Sequence, residues 1–133
     1  MDELKDIRWQ QRFENYERSF KLLESAVNKG TDTILERAGL IQFFEMSFEL
    51  AWKVLKDYLE ANGTEVKSPR EAIKTAFQQG LIENGHDWID ALTDRNLTVH
   101  TYDEATALLI EGKITGIYFP LLKELYSTFN RKI

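Results

Sequence analysis

"FEMSFELAWKVLKDYL", residues 44–59, carries its apolar side chains at steps of three and four, the spacing of one face of an α-helix. Followed outward, the pattern runs from about 33 to 61. One stripe takes Ile34, Ala38, Ile41, Phe48, Trp52, Leu55 and Leu59, and a second takes Leu40, Phe43, Leu50, Val54 and Tyr58. Together the stripes cover roughly half of the circumference, wider than a surface helix needs. This helix is expected to be buried on two sides.

The flanking segments repeat the same period. Upstream, Trp9, Phe13, Tyr16, Phe20, Leu23 and Val27 mark a helix over 8–29 that "NKGTD" stops. Downstream, Asn62-Gly63 breaks the pattern, and Ser68 as N-cap, Pro69 at the first helical position and Glu71 as capping-box partner start a short third helix ending near Gln79-Gly80. After the Asn84-Gly85 turn, Trp88, Ile89 and Leu92 define a short fourth helix leading into Arg95. The last helix is expected from near Tyr102 to about 130, along Ala107, Ile110, Ile114, Ile117, Leu121, Leu125 and Phe129. Pro120 interrupts it, but the carbonyl its ring opposes belongs to Gly116, where a bend is easily absorbed. No segment alternates with period two. The expected fold is all-α, an up-and-down bundle of three long helices and two short ones forming a single domain over 1–133.

Composition limits what such a bundle does. With 133 residues and 43% hydrophobic content there is apolar mass for one modest core, and two broad apolar helices would leave a patch in water. A homodimer or a permanent partner is therefore expected. A net charge of −5, from 17 basic and 22 acidic residues, argues against coating nucleic acid by bulk electrostatics, so any RNA contact is local and DNA is not an expected ligand. There is no cysteine, hence no disulfide framework or thiolate chemistry. The charged opening "MDELKDIRWQQRFENYERSF" lacks the apolar centre of a signal peptide, and no stretch reads as a membrane span. A cytoplasmic location is expected.

Chemistry concentrates in "DRNLTVHTYDE", residues 94–104, which gathers Arg95, Asn96, His100 and Tyr102 within eight positions. Thr101 with Glu104 reads as a capping box for the last helix, so His100 and Tyr102 would flank a helix N-terminus, where free N–H groups attract phosphate and disfavour a protonated imidazole. Arg95 would add a planar fork of donors for phosphate oxygens. An arginine, a neutral histidine and a phosphate cradle suit transesterification of RNA: the imidazole takes a ribose 2′-hydroxyl proton and the guanidinium stabilises charge developing on phosphorus. No metal and no cofactor are needed. One histidine falls short of an acid and a base, which a two-fold dimer sharing both copies of His100 would supply. The structural alternatives are His100 as a capping residue and Arg95 paired with Asp94 or Asp103. Asn96 can orient His100 or hold phosphate. Glu45 and Glu49, in a polar stripe with Gln42, Lys53 and Lys56, form either a solvated face with i, i+4 pairs or the lining of a cleft. His86, in "NGHDW", reads as a turn residue.

The spacing Arg95-x4-His100-x-Tyr102 resembles the R-x4-H-x-Y signature of HEPN domains, in the branch called nucleotidyltransferase substrate-binding proteins or HepT-like toxins. The resemblance extends through "FEMSFELAWKVLKDYL", "SPREAIKTAFQQGLI", Trp88, Arg95-Asn96 and "HTYDE" over nearly the whole chain. It implies a dimerising helical bundle encoded beside a minimal nucleotidyltransferase. In toxin members the arginine and histidine form a metal-independent ribonuclease site, and the nucleotidyltransferase acts as antitoxin by transferring AMP to the tyrosine. Carried over, Arg95 and His100 are catalytic and Tyr102 is the AMP acceptor, an added anion that would compete with RNA. Two other functions fit the same residues: a non-catalytic substrate-binding or docking subunit of a nucleotidyltransferase, and a helical oligomerisation module with a relict site.

Overall fold

The computed structural model describes residues 3–133, and all regular structure among them is helical. Helix α1 spans Glu3–Lys29 and α2 spans Ile34–Ala61; the short α3 and α4 span Pro69–Gln78 and Gly85–Arg95. A 3-10 segment, Asn96–His100, then leads to α5 (Glu104–Lys113), a π-helical turn (Ile114–Tyr118) and α6 (Phe119–Asn130). The last three form one continuous helical run, so the expected three long and two short helices are present.

Each boundary has a local cause. Gly30 takes φ 82° after α1, a conformation costly for any residue with a Cβ. Thr33 caps α2 in a full capping box with Glu36. Ser68 accepts from the Glu71 N–H at 3.1 Å, but the Glu71 carboxylate takes the Lys67 N–H instead of closing the box on Ser68. At the α4 start Asn84 sits at φ 55°, and a Cβ on Gly85 would come within 2.9 Å of the Phe77 ring. Glycine is required there for close approach of α3.

Helix α2 is the central element, as its double stripe predicts. Leu40, Ile41, Phe44, Phe48, Ala51, Val54, Leu55 and Leu59 are all buried. The stripe's first members are not: Ile34 is 76% exposed, because the chain covers α2 only from Leu40 onward. Helix α1 lies along α2 with the Ser19 and Ser47 hydroxyls bonded at 2.8 Å between them. Arg12 pairs with the buried Asp57 at 3.0 Å, and the buried Tyr16 hydroxyl donates to the Leu122 carbonyl at 2.6 Å. Burial raises the Tyr16 phenol well above its ordinary pKa.

Pro120 does not kink the last helix sharply. The turn before it widens, with the Phe119 N–H reaching the Ile114 carbonyl five residues back. The proline then stands at the start of α6, where its missing N–H costs little. Joined in this way, Glu104–Asn130 makes a 27-residue helix with a mean hydropathy of 1.3 over its most apolar window. By length and composition alone it is long enough to cross a membrane, which corrects the expectation that no stretch approaches a span. Here its apolar side chains have a local use: Ile110, Ile114, Tyr118, Leu122, Leu125 and Phe129 pack into the bundle.

Candidate functional site

The site is built at the junction where α4 ends. Asp94 is only 7% exposed and its carboxylate accepts from Lys113 Nζ at 3.0 Å and from the Tyr118 hydroxyl. Burial, then the Asp94 carboxylate, hold the Tyr118 phenol far above its usual pKa, so it remains a donor. These contacts pin the end of α4 to α5 and the π turn. Arg95 follows directly.

The Arg95 guanidinium does not pair with Asp94 or Asp103. Its Nη1 donates to the Glu49 carboxylate on α2, and Lys53 Nζ lies 3.5 Å from the other Glu49 oxygen. The reason is reach: Asp94 is already claimed by two donors, and Glu49 stands across an open cleft. That cleft, about 460 Å³, is lined by Arg95 and Glu49 together with Gln42, Glu45, Met46, Asn96, Thr98 and Val99. Gln42, Glu45, Met46 and Glu49 occupy one face of α2 at i, i+3, i+4 and i+7. The polar stripe therefore lines a cleft and also forms i, i+4 pairs. Glu45 is partly buried and has no hydrogen bond or ion pair among the described residues.

Beyond Arg95 two threonines shape the 3-10 segment. The buried Thr98 hydroxyl donates to the Arg95 carbonyl at 2.7 Å, and the Thr101 hydroxyl donates to the Thr98 carbonyl at 3.0 Å. His100 ends this segment, exposed; its carbonyl accepts from the Asp103 N–H at 3.2 Å, while its imidazole has no hydrogen bond or ion pair among the described residues. Its ring stands edge-on to Tyr102 with centroids 6.1 Å apart. Tyr102 is 86% exposed, whereas the other four of the five tyrosines are buried or half-buried. Thr101 and Tyr102 line a second, smaller crevice of about 90 Å³ with Ile34, Arg37, Ile41 and Glu104 among its walls.

Three expectations are corrected. Thr101 is not the cap of the last helix; Asp103 is, accepting from the Thr106 N–H at 3.3 Å and the Thr106 hydroxyl at 2.7 Å. Aspartate caps more strongly than threonine, and the Thr101 hydroxyl is spent in the preceding turn. The helix N-terminus thus holds the protein's own carboxylate, with Glu104 beside it, and is no phosphate cradle. Secondly, Arg95 and His100 do not share one pocket within the chain: Arg95 and Asn96 face the α2 cleft, whereas His100 lines neither cavity. His86 lies inside the first turn of α4, 3.5 Å from Asp90 at the surface, rather than in the preceding turn.

Sequence reasoning passed over Asp94, Lys113 and Tyr118 as a cluster. Lys113 and Tyr118 are five apart, a spacing that meets on one partner only across the π turn, and Pro120 was the sole hint of that turn. Met46 and Val99, the apolar walls of the cleft, were legible only once α2 and the 3-10 segment were set side by side.

The family described as "Nucleotidyltransferase substrate binding protein like" matches residues 11–131. The chain belongs to that family. Its HepT-like branch, expected from the R-x4-H-x-Y spacing, is represented by "Probable ribonuclease HepT" of Haemophilus influenzae, 31% identical over an 88-residue alignment that covers 62% of this chain and 59% of that relative. The chain thus spans about three fifths of that relative's length. A crystal structure from Thermus thermophilus superposes with a TM-score of 0.77 at 32% identity, covering 87% of this chain and 97% of that one. A Haemophilus influenzae structure, described as revealing the fold of a substrate binding domain of a nucleotidyltransferase, superposes with a TM-score of 0.81 at 23% identity, covering 89% and 98%. That last likeness establishes the shared helical fold.

Proposed function

We propose that this family member is a metal-independent endoribonuclease of a two-gene module, partnered by a minimal nucleotidyltransferase that silences it by transferring AMP to Tyr102. The observation that carries the reading is the state of the R-x4-H-x-Y residues. Arg95 sits in an open cleft, and the His100 imidazole and the Tyr102 phenol are exposed with no hydrogen bond or ion pair among the described residues. A histidine kept for packing or capping would be bonded. Arg95 binds and stabilises the phosphate, displacing or sharing Glu49; His100 accepts the 2′-hydroxyl proton; Asn96, in the cleft, holds a further phosphate oxygen, and Thr101 shapes the segment that carries His100. The active unit in this reading is a homodimer in which a second copy brings its histidine to the cleft, since His100 is not among the residues lining the Arg95 cleft of its own chain. Apolar side chains support this: Ile34, Leu35, Val99 and Leu109 are each more than half exposed on α2, the 3-10 segment and α5.

The test is expression of the chain alone and with its nucleotidyltransferase, followed by intact mass measurement. Growth arrest relieved by the partner, with AMP-sized additions absent from Tyr102→Phe, is expected. A harmless and unmodified product in both cultures would overturn the reading. One observation favours a second reading, a non-catalytic subunit that docks substrate for the nucleotidyltransferase: the cleft holds two carboxylates against one guanidinium, a balance that repels bare phosphate.

A further inference from the structure

The acidic balance of the cleft has a different use once its two carboxylates are told apart. Glu49 is committed twice, to Arg95 and to Lys53. Glu45, one turn earlier on the same face, is partly buried in the cleft wall and bonded to nothing among the described residues. Its carboxylate faces the open cleft with no protein donor, and is free to accept from a ligand there. Its surroundings define that ligand: Met46 and Val99 supply apolar surface for the faces of a flat ring, and the Gln42 and Asn96 amides offer a donor and an acceptor each. Arg95, in the same cleft, meets an attached phosphate. A volume of about 460 Å³ holds a ring system and its sugar.

We propose that the cleft between α2 and the end of α4 is a base-reading subsite for single-stranded RNA, in which the Glu45 carboxylate accepts the adjacent N1–H and N2–H donors of a splayed-out guanine. Guanine alone among the four bases presents two neighbouring donors on its Watson–Crick edge, matching the two oxygens of a carboxylate, and the resulting bonds are charge-assisted. Adenine and cytosine each turn a ring-nitrogen lone pair toward Glu45, and uracil offers one N–H between two carbonyls. The subsite thus selects where RNA enters while Arg95 and His100 do the chemistry. It rests on the reading of the protein as one that takes RNA, but base selection does not require cleavage.

The experiment measures binding and cutting separately. Short uridine oligonucleotides with one central guanosine, inosine or adenosine, made uncleavable by 2′-O-methyl groups, are titrated against the protein by fluorescence anisotropy. The guanosine oligonucleotide is expected to bind roughly tenfold tighter than the adenosine one, with inosine, which lacks the N2 donors, between them. In Glu45→Gln and Glu45→Ala the three affinities converge. Because the Glu45 side chain has no hydrogen bond or ion pair among the described residues, the variants should keep the wild-type melting curve, recorded alongside. Equal affinities in the wild type, or a guanosine preference that survives both variants, would overturn the proposal. So would displacement of the guanosine oligonucleotide by an arginine-containing peptide with a preference lost in Glu45→Gln, which would assign the carboxylate to a protein partner. Cleavable oligonucleotides keep the two readings distinct. Guanosine-selective binding without cutting leaves the subsite standing and removes the ribonuclease; cutting without base preference does the reverse.

Discussion

Arg12 and Asp57 illustrate how much one side chain can hold. Asp57 is 4% exposed on α2, and the Arg12 guanidinium from α1 is its only ion-pair partner among the described residues. Removing the guanidinium leaves a buried carboxylate uncompensated, which costs far more than an exposed pair gains. Arg12→Ala should lose about 3 kcal/mol, read as a lower urea midpoint with an unchanged slope. Arg95 differs in kind: with Glu49 it forms a pair open to the cleft, so its removal should barely alter stability. At this scale the sequence singled out candidate residues but not whom they touch. Arg95 and Glu49 are 46 positions apart, and nothing local ranks Glu49 above Asp94 or Asp103 as a partner. The cap of α5 misled for a related reason. Thr101 and Asp103 each have a suitable residue three positions on, and only the turn geometry that spends the Thr101 hydroxyl separates them.

The helices themselves were legible because burial imposes a period on the sequence. Trp9, Phe13, Tyr16, Phe20 and Leu23 all lie in the core as their spacing foretells. The π turn was not, since it adds one residue to a turn without any change of composition. That turn carries Tyr118 to Asp94, and the pair gives a measurable pH dependence. A phenol whose pKa is raised in the folded state stabilises fully below its unfolded value, about 10, and loses that contribution as pH climbs toward the folded value. Tyr16 acts in the same direction through burial. Stability should therefore fall above pH about 10, and Tyr118→Phe should flatten this alkaline loss. At neutral pH the same variant should cost about 2 kcal/mol, because Asp94 loses a donor and keeps only Lys113. Thermal melts of both proteins from pH 7 to 11 measure the two effects together. Identical alkaline slopes would exclude Tyr118 as the titrating group.

For the whole molecule, the bundle sets Arg95 in a cleft against α2, at an α4 end held by Asp94 and Lys113, and leaves the His100 imidazole and the Tyr102 ring exposed. Residues legible as a motif in one dimension are thus split between a cleft and an open rim in three. The sequence could not reveal this, because the turn direction of Asn96–His100 depends on Thr98 and Thr101 hydroxyls closing on backbone carbonyls. Under the proposed function a second copy supplies the histidine, a proposal that the exposed Ile34, Leu35, Val99 and Leu109 support. The central claim is that Arg95 and His100 act together on RNA. Its most direct test is the rate at which purified protein in excess EDTA cuts a single-stranded RNA, compared among wild type, Arg95→Ala and His100→Ala. Cutting by the wild type, with at least a hundredfold loss in each variant and an unchanged melting curve, is the expected result. Undiminished cutting in either variant, or none by the wild type, would contradict it.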